Sequence, residues 1–314
     1  MYYRVMKILL ISYNRIGDTI LATGLISHLL DKYKDASFSI ITSSISASIY
    51  QNMPRLENLF IADKQKYSMH WFRIWNFSRK IKWDLVIDLR SSSLAYFLNA
   101  KKRLIFKGNE NEHKLEQLQS FIGSTETLKP QIWADRDNYH HLNKNKNLKD
   151  NYICIAPISN SEVKDWSINN YIELLKENLF ENYQIILLGA TSETNELINI
   201  QRLVSESTRD INNLINNADM IETYFILKNS KLFIGSDSSN MHLSVTTQNP
   251  TIGLFGPTDE KLYGPLGENN LSIRGDKNHL EIINQTDYKS GEVKSYLEDL
   301  KVSRVYKAIQ NILG

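Results

Sequence analysis

Cysteine is almost absent from this chain: Cys154 stands alone among 314 residues. That excludes an internal disulfide framework and any cysteine-clustered zinc site, and it fits a reducing cytoplasm. Long apolar runs are missing too. None approaches the ~18 residues of a membrane-spanning helix. The opening MYYRVMKILLISYN has the outline of a signal peptide. Its apolar centre is only a strand's length and no small-residue cleavage site follows, so a buried strand is expected. Neither half contains G-x-G-x-x-G, which disfavours a nicotinamide-dependent enzyme. No short-period repeat and no low-complexity tract occurs. The pair His140–His141 has no carboxylate or cysteine partner at ligand spacing, and no metal is assigned.

What remains is an ordinary globular composition, 42% hydrophobic and 23% charged, with a net charge of +2. That small sum hides a split. Residues 1–150 carry 23 Lys and Arg against 14 Asp and Glu, a net +9; residues 151–314 carry 14 against 21, a net −7. The two halves then either attract each other, or the basic half receives an anionic partner. Nothing points to nucleic acid.

The first half alternates strand and helix patterns. Met6–Ser12, Ser37–Thr42, Leu59–Ala62 and Leu85–Leu89 have strand length, and Thr19–Lys32 and Met69–Lys82 have helical period. NKNKNLKDN (143–151) is polar and aperiodic, which makes it the best linker. Alternation restarts with strands at Tyr152–Ala156, Gln184–Leu188, Lys231–Ile234 and Thr251–Phe255. Helices are expected at Ile168–Leu179, Glu193–Ser205 and Asn240–Thr247, and as a tail over 293–313. Such alternation implies parallel sheets with helical crossovers. The expected organisation is two α/β domains, 1–150 and 151–314, with a cleft between them and the tail helix free to pack back on the first. Ligands of such folds bind where strands run out into helices.

Several loop residues there carry chemistry. In FIGSDSSNMHLSV, Ser236 to Asn240 are all short and polar at a helix start. They form an anion site through free N–H groups and hydroxyls, or Asp237 or Ser238 merely caps the helix. His242 either lines that pocket or is a buried structural histidine. Lys164, in PISNSEVKDWSINNY, reaches a diphosphate or lies in solvent, and Trp166 beside it argues for a packed loop. Glu193, four residues after Gly189, holds ribose hydroxyls or only complements a helix dipole. Asp18, after Gly17, is a helix cap or a general base. MHWFRIWNFSRKIKW either packs on its own sheet or lies on a membrane surface.

Together these segments resemble glycosyltransferase family 9, the ADP-heptose:lipopolysaccharide heptosyltransferases. MKILLISYNRIGDTILATGLISHLL is similar to the family's first strand, "R-I-G-D" turn and first helix. KWDLVIDLRSS is similar to a later strand, KDWSINNYIELL to its Lys/Arg-x-Trp segment, and IGSDSSNMHLSVTTQNPTIGLFGPTDEKLYGPLG to its most specific blocks. The resemblance implies a GT-B fold, two Rossmann-like domains with parallel sheets facing across a cleft, with the donor mainly on the second domain and the acceptor on the first. It implies inverting, metal-independent transfer of heptose to the Kdo/heptose inner core of lipopolysaccharide or lipooligosaccharide. The alternatives are a relative using another nucleotide sugar or acceptor, and a catalytically silent nucleotide-sugar-binding protein.

On this resemblance Asp18 is the catalytic base and Lys164 neutralises the leaving diphosphate. Asp237, Ser238, Ser239 and His242 bind donor phosphate and sugar, and Glu193 the ribose. Asn14, Arg15 and Gly17 lie on the acceptor side. No cofactor beyond the nucleotide-sugar donor is implied, the acceptor is an anionic lipid A–Kdo core, and the place is the cytoplasm with peripheral contact at the inner membrane. The chain departs from the family at three positions and lacks the C-terminal cysteines of many members. Ser12 replaces a basic residue, Gly24 a common proline, and Ser239 a glycine. Ser12 and Ser239 are expected to touch the site.

Overall fold

Lys7–Ile11 (β1) is buried from its second residue onward, as its run of Ile and Leu requires. Strands β2 (Ser37–Thr42), β3 (Leu56–Ile61), β4 (Trp83–Asp88) and β5 (Ala100–Ile105) join it in a sheet of order β3-β2-β1-β4-β5. All its pairings are parallel. A second sheet holds β6 (Tyr152–Ala156), β7 (Gln184–Leu187), β8 (Ile211–Asn213), β9 (Phe233–Ser236), β10 (Thr251–Phe255) and β11 (Asn270–Arg274). Its order is β11-β10-β9-β6-β7-β8, again all parallel. These features come from a computed structural model, which describes residues 4–63, 69–109, 111–134, 142, 144–285, 288 and 295–314. His140 and His141 lie outside the described residues.

Counted within its own half, each sheet has the nucleotide-binding order 3-2-1-4-5, extended by a sixth strand in the second. Strand order reverses between β1 and β4 in one sheet and between β6 and β9 in the other. Ligand sites open at such switch points, beyond the carboxyl ends of the strands. Register fixes which loops meet there: Ile11 lies beside Asp88, and Ala156 beside Gly235.

The chain divides into two units, Met1–Asp135 and Arg136–Gly314. The division falls before the stretch expected to be the linker, because that stretch is fastened to the second unit. Lys146 pairs with Glu222 at 3.1 Å and donates to the Asn217 carbonyl. The Lys149 amide donates to Gln184 Oε1 at 3.0 Å.

In the first unit, helix Ile16–Lys32 carries ten buried residues, so it is covered on most of its circumference. Gly24 sits at one of its tightest contacts: a Cβ there would lie 3.1 Å from the Pro130 nitrogen and 3.2 Å from the Lys129 carbonyl carbon. The crossing segment is tied down by the Gln131 amide, which donates to Thr23 Oγ1 at 2.9 Å.

In the second unit the tail helix spans Val302–Leu313 and does not begin near 293; residues 293 and 294 lie outside the described residues. Leu297 and Leu300 mimic a helical period but are buried in an irregular segment, whose Leu300 carbonyl accepts from Trp166 Nε1 at 2.9 Å. The sequence leaves the tail free to return to the first half. Its buried stripe, Val305 and Ile309, is instead part of the second unit's core with Trp166 and Tyr171.

Candidate functional site

The second unit gathers three expected residues at its switch point. Lys164 follows β6 in a short helical turn, Glu162–Lys164, and Asp237 follows β9. Lys164 Nζ donates to Asp237 Oδ2 at 2.6 Å. His242 Nε2, one turn into helix Ser239–Val245, stands 3.7 Å from Asp237 Oδ1. Asp237 is only 8% exposed. Burial pushes its carboxyl up, but Lys164, His242 and the Thr258 hydroxyl outweigh that and hold it below the usual range. A buried carboxylate is thus kept charged by a half-buried ammonium that still reaches solvent.

Neither capping reading survives there. Ser238 occupies the N-cap position yet makes no side-chain cap bond, and the Asp237 carboxylate is engaged by Lys164. The hydroxyls of Ser236 and Ser238 are buried without a hydrogen-bond partner. Unpaired buried hydroxyls are costly, and these two flank the Asp237 carboxylate along the chain. Ser239, the first residue of the helix, is half-buried beside them.

Glu193 is not drawn into this cluster. It is the N-cap residue of helix Thr194–Glu206, makes no cap bond with its side chain, and is exposed at the carboxyl end of β7. A different carboxylate lies closer to the lysine loop. Asp165, next to Lys164, is raised to about 6 by burial, opposed by bonds from Ser159 and reinforced by the charges of Glu196 and Glu162. Its Oδ1 is buried without a hydrogen-bond partner. Thr258 and Asp165 are the residues that pattern reasoning missed. Thr258 was within reach, since it lies in the F-G-P-T block, whereas Asp165 gives no signal before its burial is known.

The first unit assembles a separate group around the end of β1. Helix Ile16–Lys32 is capped by Arg15, not by Asp18, and Arg15 makes no side-chain cap bond. Asp18 sits in the first helical turn, half-buried, with no hydrogen bond or ion pair among the described residues. Its charge acts on Lys114, the first residue of helix Lys114–Ile122. Burial lowers the Lys114 ammonium and Asp18 opposes that shift. The ammonium lies 4.6 Å from the Phe106 ring centre and 5.1 Å from that of Tyr13. Gly17 is half-buried beside Asp18, and Asn14 and Arg15 are exposed in the same turn.

Ser12 corrects an expectation. It is fully buried, its hydroxyl 2.6 Å from Tyr50 Oη, so it belongs to the packing under the loop and not to an open site. Lys114 and Arg90 are further residues missed by pattern. Arg90 follows β4 across the switch point, stacks 4.7 Å from the Trp71 ring centre, and has a buried Nη1 without a hydrogen-bond partner. Among the described residues no group of three or more His, Cys, Asp or Glu is arranged to hold a metal ion.

Comparison with known proteins follows the same outline. The sequence profile of glycosyltransferase family 9 (heptosyltransferase) matches residues 112–290. Lipooligosaccharide heptosyltransferase 2 of Campylobacter jejuni is 24% identical over 98% of both chains. Among solved structures, the glycosyltransferase family 9 protein of Veillonella parvula superimposes with a TM-score of 0.83 at 17% identity, over 100% of this chain and 98% of that one. The ADP-heptose lipopolysaccharide heptosyltransferase II of Escherichia coli does so with a TM-score of 0.79 at 16% identity, over 98% of both. At such identities the likeness shows the fold, the GT-B class of two Rossmann-like units.

Proposed function

Since this chain belongs to glycosyltransferase family 9, the heptosyltransferase family, and is therefore a glycosyltransferase, we propose that it moves a heptose from ADP-L-glycero-D-manno-heptose to the Kdo/heptose inner core of lipopolysaccharide or lipooligosaccharide. The relatives named above are by name a lipooligosaccharide heptosyltransferase and an ADP-heptose lipopolysaccharide heptosyltransferase, which supports this reading. The observation that carries the reading is the Lys164–Asp237 pair beside two unpartnered buried hydroxyls at the second switch point.

In this reading Asp18 takes the proton of the acceptor hydroxyl. The freed oxygen attacks the anomeric carbon from the face opposite the diphosphate, and the bond to the leaving ADP breaks with its electron pair. Configuration inverts. Positive charge develops on the sugar and negative charge on the diphosphate. Lys164 neutralises the latter, a preorganised electrostatic role that does the work a metal ion does elsewhere. Asp237 holds that ammonium in place, and the Ser236 and Ser238 hydroxyls bond the donor's phosphate or sugar oxygens. Ser239 and His242 border the same pocket. Glu193 takes the ribose as the loops close on the donor. The acceptor is an anionic lipid A–Kdo core, met by the turn of Asn14, Arg15 and Gly17 at the cytoplasmic face of the inner membrane.

A donor screen with purified protein tests this. ADP-heptose is expected to turn over in the presence of a chelator, giving a product of inverted anomeric configuration by NMR. Turnover of UDP-, GDP- or dTDP-sugars in its place would move the chain to a different donor, the outcome that Ser239 in a usual glycine position would then explain. Donor binding without any turnover would make it a silent binding protein.

A further inference from the structure

Helix Met69–Ser78 and the short helical turn Ser93–Phe97 in the first unit build a surface that the proposed chemistry does not use. One side of the helix is ordinary core: Ile74 is buried, and Trp71 and Trp75 pack against the sheet. The other side faces solvent with aromatic rings. Phe72 is 60% exposed, Phe97 69%, Tyr96 67% and Phe77 44%. Between the two elements lies an open groove of about 530 Å³, lined by Trp71, Phe72, Trp75, Leu94 and Phe97 with Ser92 and Ser93. Exposed aromatic rings beside an apolar groove mark an interaction surface.

Charge says which kind of surface covers it. Residues 69–83 and 89–109 contain nine Lys and Arg and no Asp or Glu. Arg103 is spent on the carbonyls of Ala95, Leu98 and Ala100, and Lys101 on Asp84. Arg73, Arg79, Lys80, Lys82 and Lys102 are exposed and make no ion pair with the described residues. The Arg79 guanidinium lies over Trp75, 4.5 Å from its ring centre. Exposed aromatic rings on elements that also carry cations without ion pairs match the headgroup level of an anionic bilayer, where rings enter the boundary and cations meet lipid phosphates.

We propose that this patch docks the protein on an anionic lipid surface, the rings of Phe72, Tyr96 and Phe97 entering the headgroup layer while Arg73, Arg79, Lys80 and Lys82 meet its phosphates. The inference deepens the reading above, in which the acceptor is lipid-linked, by naming where the lipid phase is met.

The test is vesicle flotation of the full chain. Wild-type protein is expected to float with vesicles of phosphatidylcholine and phosphatidylglycerol, not with phosphatidylcholine alone, and to be released by salt. Phe72→Ser/Phe97→Ser and, separately, Arg79→Glu/Lys80→Glu are expected to weaken binding about tenfold or more. Both keep the wild-type melting temperature, ADP binding and transfer to a soluble, deacylated acceptor. No flotation of the wild type, flotation indifferent to lipid charge, or variants that float as well as wild type each overturn the proposal. So does a wild-type dimer that the Phe72→Ser/Phe97→Ser change dissociates, since the patch would then face a second copy. Flotation without transfer to the soluble acceptor leaves docking intact and removes the heptosyltransferase reading instead.

Discussion

At Asp18 the capping role and the proposed role as base can be separated. The cap position belongs to Arg15, so replacing the carboxylate deletes no cap bond. Asp18→Asn is expected to move the unfolding free energy by less than the ~1 kcal/mol of a lost cap while lowering kcat by on the order of a hundredfold or more. Thermal melts beside ADP-release assays check both, and loss of the fold would return Asp18 to a structural role. Lys164 behaves differently, because its removal strands a buried carboxylate. Lys164→Met is expected to cost about 2–4 kcal/mol as well as ADP affinity. Adding Asp237→Asn restores most of the stability and none of the affinity, as denaturant titration and calorimetry would read out; recovery of both would make the pair purely structural. Asp165 carries a pH signature. Its native pKa is raised from the usual 3.8 to about 6, so the folded state holds that proton more tightly than the unfolded chain. Its contribution is complete below about pH 4 and is lost as pH climbs through about 6. Asp165→Asn is expected to flatten that fall and to exceed wild type by about 1–2 kcal/mol at alkaline pH. Parallel pH–stability curves for the two proteins would contradict the assignment.

Among the elements, the central strands were legible and, apart from β3, the edge strands were not. KILLI and YICIA read as buried because both of their faces are covered. The three strands without a clear sequence signal, β5, β8 and β11, all lie at sheet edges. β5 is AKKRLI, with both lysines exposed; an edge strand pairs on one side only and tolerates such charge. The tail pattern failed for another reason. Leu297 and Leu300 are apolar because they are buried, not because they are helical. Gly24 shows a contact invisible in one dimension, where the backbone at Lys129–Pro130 crosses the first helix. Gly24→Leu is expected to lower stability by about 1–3 kcal/mol with helix content by circular dichroism unchanged; an unshifted melt would mean that the crossing segment yields freely.

For the whole molecule, the uneven charge is the property with consequences at a distance. A basic first half and an acidic second half keep the net charge near zero, yet an anionic acceptor approaching the first unit feels the local excess. The KM for an anionic acceptor is expected to rise steeply with added salt. The KM for the donor should rise less, because the half-buried Lys164–Asp237 pair is screened less than surface charge. Equal salt dependence for both substrates would remove steering from the account. Among the described residues no helix is long and apolar enough to cross a membrane.

The sequence by itself determined the alternation of strands and helices, the parallel sheets, the family blocks and the small polar loops at the strand ends. These follow from local periodicity and from small polar residues at strand ends, which are properties of neighbouring positions. Only the tertiary structure decided that Lys164 meets Asp237 across seventy-three positions, that Ser12 is sealed beneath its loop by Tyr50, that Arg15 rather than Asp18 caps the first helix, and that Asp165 loses its water. Such facts depend on which distant backbone segments share a switch point and which side chains are thereby desolvated, and no spacing along the chain encodes either one.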